Sequence, residues 1–210
     1  ASDEEQDVRS AVGYFEKALE VFPADTNAMM NVINAGWQLE DKDLVADYAK
    51  KLIGVEEYQG SYPYLAISQI ELDKARDYQL DINQYKSEIR SAYIEAENAE
   101  DSMKVQEDLA DTQEKLEEAE AEARKYYEAA LEYINPGLKK FPDNQDLLTL
   151  QTNTYLQLGE DEKAIASIES TLEKNPENSQ LLYNLGVLYD RLDNIEKSAD
   201  SYQRAIEVDP

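Results

Sequence analysis

Carboxylates are the one class of reactive side chain in which this sequence is rich: Asp and Glu make up 46 of its 210 residues. Several are adjacent, as in Glu117-Glu118 and Asp161-Glu162. Acid–base catalysis by such a pair needs burial that drives the two pKa values apart. These pairs fall on segments patterned as helix faces and turns, so a solvated surface is the expectation. The sequence has no Cys and no His, which removes thiol nucleophiles, disulfides, imidazole bases and the commonest zinc ligands. No phosphate loop, dinucleotide fingerprint or calcium loop occurs. Leu192-Asp193-Asn194 reads as a turn between helices and not as a metal site. The expectation is a non-catalytic chain with no cofactor and no bound metal.

Lys and Arg total 20, giving a net charge of -26. Binding to phosphate backbones or to an anionic lipid surface needs clustered cations, and the sequence has no basic run. Nucleic acid is not an expected partner. No apolar run reaches the ~20 residues of a membrane-spanning helix, so membrane insertion is not expected either. The acidity reads as a solvated surface; the functional alternatives are a basic partner or a salty habitat. The chain opens ASDEEQD without Met, read here as the loss of upstream residues.

The elements that would position any site are helices, and prolines punctuate them. Pro142, Pro176 and Pro210 are spaced by 34 residues, each just past an amphipathic stretch where a missing N–H does no harm. In the last interval Leu182, Leu185, Gly186 and Tyr189 fill a first helix, and Ser198, Tyr202, Ala205 and Pro210 a second. This stretch resembles the tetratricopeptide-repeat (TPR) family, whose helix pairs recur about every 34 residues. The resemblance implies an all-α, right-handed TPR superhelix and a role in holding other proteins.

Repeats are expected at about 3–23 (a second helix alone), 26–57, 60–142 (interrupted), 145–178 and 179–210. In the first, Ala11, Phe15, Ala18 and Pro23 have the family spacing. In 26–57 one apolar stripe is Met29, Val32 and Leu39, and an adjacent one is Met30, Ile33 and Trp37; the first helix fits either of two registers. Trp37 is then core or groove, with core preferred for so large an apolar group. In 145–178, Gly159 closes the first helix. Gln151 and Thr152 stand where Leu and Gly are usual, and Thr171 where Ala is. Asp or Asn follows Pro23 and Pro142 and is placed to cap the next helix.

Pro23 and Pro142 lie 119 residues apart, 51 more than two periods. Two heptad runs account for the excess. One is Ala75, Tyr78, Ile82, Tyr85, Ile89, Ala92, Ala96, Ala99 and Met103. The other is Val105, Leu109, Thr112, Leu116, Ala119, Ala123, Tyr126 and Ala130. The phase slips near Asn98 to Met103, where Asp101 or Ser102 is placed to cap a new helix. One helix of more than 50 residues is possible. An antiparallel coiled-coil-like hairpin over 77–126 is preferred, since it returns the chain with the right parity for Gln145 to start a first-type helix. Its seam turns from Ile and Tyr at the base to Ala near the tip, so little area is buried there. Asn135-Pro136 predicts a kink or restart, with Asn135 as cap.

The resemblance also implies a concave face lined by fixed positions of each first helix. Carried onto this chain, the partner-binding residues are Asn153, Leu156, Gln157, Tyr183, Asn184, Val187 and Arg191, with Asn34 in the earlier repeat. Asn153 and Asn184 are similar in spacing to the asparagine pair of chaperone-binding TPR domains. Those domains also carry a Lys where this chain has Thr149, so capture of a C-terminal carboxylate is not expected. The amides are either tied to water or free to grip a peptide backbone. The leading expectation is a scaffold for a neutral or basic protein or peptide segment; the alternative is assembly through the hairpin. Because both ends lack a polar capping helix, the chain is also read as part of a longer protein or a larger assembly.

Overall fold

The computed structural model describes residues 2–96 and 102–209. The described residues are helical apart from turns: α1 (Asp3–Val21), α2 (Thr26–Gln38), α3 (Lys42–Ile53), α4 (Tyr62–Ala96), α5 (Ser102–Lys140), α6 (Gln145–Leu158), α7 (Asp161–Leu172), α8 (Ser179–Arg191) and α9 (Ile195–Val208). The chain divides into two compact units, Ala1–Ser68 with Leu131–Pro210, and Gln69–Ala130.

In the first unit the helices pack as successive pairs, α1 on α2, α2 on α3, α6 on α7, α7 on α8 and α8 on α9. Local chemistry starts most of them, α7 having no side-chain cap. Asp25 caps α2, Asp41 caps α3, Asn144 caps α6, Asn178 caps α8 and Asn194 caps α9, each accepting from backbone N–H groups of the first turn. Such a cap contributes about 1 kcal/mol.

The turns inside the pairs are alike. Glu40, Gly159 and Asp193 are left-handed, with φ of 54°, 70° and 55°. The next residue then reaches back to the first helix: Asp41 N to Gly36 O, Glu160 N to Tyr155 O and Asn194 N to Tyr189 O, at 2.8–2.9 Å. This Schellman closure satisfies carbonyls the helix end would otherwise leave open.

These turns fix the register that the apolar stripes of α2 leave open. Glu40 precedes Gly159 by the same 119 residues that separate Pro23 from Pro142. On that ruler Ala28, Met29, Val32, Ile33 and Ala35 match Leu181, Leu182, Leu185, Gly186 and Leu188, and both sets are buried. Trp37 falls in register with Leu156 and Asp190 and is half-buried. The preferred core placement of Trp37 is thereby corrected, because the core registers of α2 are already filled.

α5 runs without interruption through Pro136, so the expected restart does not occur. Asn135 does not cap a new turn; its Oδ1 accepts from Gln151 Nε2 at 2.8 Å. Close packing explains the exception. The next residue, Gly137, is so confined that a Cβ there would come within 2.9 Å of Leu147 and 3.1 Å of Tyr64.

Within the second unit the arms of α4 and α5 run antiparallel. Tyr78 stacks on Tyr126 with ring centroids 5.8 Å apart, Lys86 pairs with Glu120 at 2.8 Å, and Gln113 donates to Tyr93 at 3.5 Å. As the residue number rises on one arm, it falls on the other. Ala75, Ile82, Ala119, Ala123 and Ala130 are buried, while Tyr85, Ile89, Ala92, Leu109, Thr112 and Leu116 are half-buried. The apolar seam therefore thins away from residues 75 and 130. The expected phase slip and the caps Asp101 and Ser102 lie outside the described side chains, as do Ala96, Ala99, Met103 and Val105 of the heptads.

Candidate functional site

Three first helices, α2, α6 and α8, carry the expected binding residues, and the register sorts them into rows. Asn34, Asn153 and Val187 share one position, Trp37, Leu156 and Asp190 a second, and Gln38, Gln157 and Arg191 a third. Asn34, Asn153 and Gln157 are exposed. Among the described residues, nothing donates to or accepts from their side chains. Three amides, each able to donate and accept, thus stand on helices rigidly capped at both ends.

The remaining expected residues are partly engaged within the chain. Asn184 is half-buried and its Oδ1 accepts from Gln180 Nε2 at 3.0 Å, which leaves its own N–H groups to donate. Leu156 is half-buried and packs against the core formed by α7, α8 and α9. Val187 is half-buried. Tyr183 is 53% exposed, and its ring lies 5.5 Å from that of Tyr202. Arg191 is ion-paired to Asp161, 3.3 Å away. That pair corrects the reading of Asp161 as a free surface acid: it is half-buried in the first turn of α7, where an anion also complements the helix dipole. Glu117, Glu118 and Glu162 are exposed.

Trp37 is the residue that sequence reasoning placed elsewhere. A signal was present in the turns, where Gln38-Leu39-Glu40-Asp41 aligns with Gln157-Leu158-Gly159-Glu160 and Arg191-Leu192-Asp193-Asn194.

A cavity of about 450 Å³ between α7, α8 and α9 has charges of both signs, from Glu169, Glu173, Lys197, Asp200 and Arg204. Tyr189 Oη donates to Glu169 Oε1 at 2.6 Å. Burial, and then that carboxylate, push the Tyr189 phenol up to about 12. It is therefore a neutral hydrogen-bond donor at neutral pH, as a structural tether requires. Among the described residues no cluster of three acidic side chains is placed to hold a metal ion, and no helix is long and apolar enough to cross a membrane.

Two models of the tetratricopeptide repeat match the chain, one over residues 179–210 and one over 147–180. Among solved structures, MamA is similar over 98% of this chain and 90% of its own, at 13% identity and a TM-score of 0.57. TTC0263, a thermophilic TPR protein in Thermus thermophilus, is similar over 97% of this chain and 84% of its own, at 19% identity and a TM-score of 0.50. These likenesses are likenesses of fold. No curated protein sequence matches the chain.

Proposed function

We propose that this chain, a tetratricopeptide-repeat protein, is a non-catalytic interaction scaffold that holds an extended segment of a protein partner along its first helices. The observation that carries this reading is the row register of α2, α6 and α8. It gives Asn34 and Asn153 one position and Trp37 and Leu156 the next, with the amides of Asn34, Asn153 and Gln157 exposed and unspent. An extended backbone presents its donors and acceptors at regular intervals, which side-chain amides can match.

The segment is neutral or basic. Thr149 supplies no cation, Arg191 is already paired with Asp161, and Asp146 and Asp190 are exposed. A terminal carboxylate would meet repulsion there. Nucleic acid is disfavoured by the net charge of -26.

The test is the double change Asn153→Ala with Asn184→Ala, measured against a partner recovered by affinity capture and identified by mass spectrometry. Each amide contributes about 1 kcal/mol, so affinity falls by an order of magnitude or more. Unchanged affinity, with helicity intact by circular dichroism, sinks the proposal.

A second reading is assembly through the paired arms at 77–126, supported by exposed Leu80, Tyr93 and Ile94 on α4. Replacing 77–126 with a short loop would then abolish association, which the groove changes would spare; under the first reading partner binding is lost on the groove changes and spared by that replacement.

A further inference from the structure

α9 presents a groove of about 510 Å³ lined by Gln180, Tyr183, Tyr202, Ala205, Ile206 and Asp209, with no Lys or Arg in its lining. The repeat register shows what such a face accommodates. One period earlier, Tyr202, Ala205 and Ile206 correspond to Ile168, Thr171 and Leu172 of α7. Those three are buried, 7% exposed at most, and α8 packs against α7. The face of α7 thus receives a helix. On α9 the same registers leave Ile206 60% exposed beside the half-exposed ring of Tyr183.

The surrounding charge narrows the occupant. Asp209 lines the groove. Desolvation, followed by the charge of Asp190, raises the pKa of the Tyr202 phenol, which places a second carboxylate close enough to act on the ring's hydroxyl. An apolar floor is therefore edged by acids.

We propose that the groove of α8 and α9 docks a basic amphipathic helix of a partner protein, seating its apolar stripe on Tyr183, Tyr202 and Ile206 and its cations near Asp190 and Asp209. This site borders the rows at Asp190 but uses none of the exposed amides of Asn34, Asn153 and Gln157, and does not rest on them. A second copy of this chain is a poorer fit, since each copy carries a net charge of -26 and like charges oppose approach.

The probe is a synthetic amphipathic peptide of the length of α9, 14 residues, with Leu at helical spacing and Lys on its flanks. Its controls are the same peptide with Glu for Lys, and a scrambled sequence. The Lys peptide is expected to bind, more weakly at high salt, while both controls fail. Ile206→Asp weakens binding about tenfold or more, and Asp190→Asn with Asp209→Asn weakens it by a smaller factor. Ile206, Asp190 and Asp209 are exposed, so these variants keep the fold. Asn34→Ala with Asn153→Ala, at exposed residues outside the groove's lining, leaves this binding unchanged, which separates the site from the scaffold reading. Four outcomes overturn the proposal: no binding; equal binding by either control peptide; equal binding to Ile206→Asp; or dimers by sedimentation that Ile206→Asp abolishes, which assign the face to a second copy. Failure of any longer polypeptide carrying these 210 residues to bind a peptide that they bind alone assigns the face to another segment of that polypeptide, and overturns it too.

Discussion

The repeats at 179–210 and 145–178 close the same helix–helix contact with opposite chemistry. In the later repeat Gly186 lies under Tyr202 so closely that a Cβ would sit 2.6 Å from the ring. In the earlier one the two registers hold Thr152 and Ile168, and the contact is stitched by hydrogen bonds. Ser167 Oγ donates to Gln151 Oε1 at 2.8 Å, so the 3.0 Å bond between Thr152 and Ser167 is donated by Thr152. The pair α2 and α3 gives a third solution in the same registers, Ile33 and Ala49, both fully buried. In these two registers a small residue is matched with a large one, a medium with a medium, and a large with a small. The position demands a summed volume, as a close-packed interior should, and the identity of either residue is set by its partner.

The volume rule is most exposed to refutation at Ile33. Ile33→Ala should cost about 2–5 kcal/mol in urea denaturation, since Ala49 is too small to fill the space; a loss under about 1 kcal/mol breaks the comparison. Next is Gly186→Val, which drives a branched side chain into the Tyr202 ring and should cost about 1–3 kcal/mol. Tyr202→Ala in the same molecule should return much of that loss, converting this contact toward the Ile33 and Ala49 arrangement. Simple additivity of the two changes would show that volumes are not exchanged across the contact. Thr152→Val should cost about 1 kcal/mol, because Ser167 loses a donor but keeps its bond to Gln151. The smallest effect is at the turns, where the three repeats are alike. Glu40→Gly relieves a left-handed non-glycine residue at some cost in chain entropy, for a net gain of about 0.5 kcal/mol. A loss at Glu40 would mean that its turn differs from that of Gly159.

What depends on a few adjacent residues was legible in the sequence. The caps Asp25 and Asn144, the left-handed Gly159 and the 34-residue period each rest on local chemistry, and each stands in the structure. The departures at Gln151 and Thr152 were visible as departures, but their repair was not: it comes from Ser167, 15 residues on from Thr152. Pro136 misled in part for the same reason, since a local rule predicted a kink or restart and the helix does not restart where Gly137 packs against Tyr64 and Leu147. At the candidate site the amide rows followed from the family spacing. Trp37 did not, because the apolar stripes of α2 fit two registers and only the turn at Glu40 chooses between them. Tyr183 was expected only as a partner-binding residue; that its ring lies 5.5 Å from Tyr202 is a pairing across helices that no spacing within α8 encodes.

The placement of Trp37 has an optical consequence. The chain holds a single Trp among 15 Tyr residues, so selective excitation reports from one half-buried indole in the register of Leu156. A segment laid along Asn34 and Asn153 would strip water from that indole and shift its emission to the blue. A helix seated on Tyr183 and Ile206, in another repeat, would leave the spectrum where it was. One unlabelled titration thus tells the two occupancies apart.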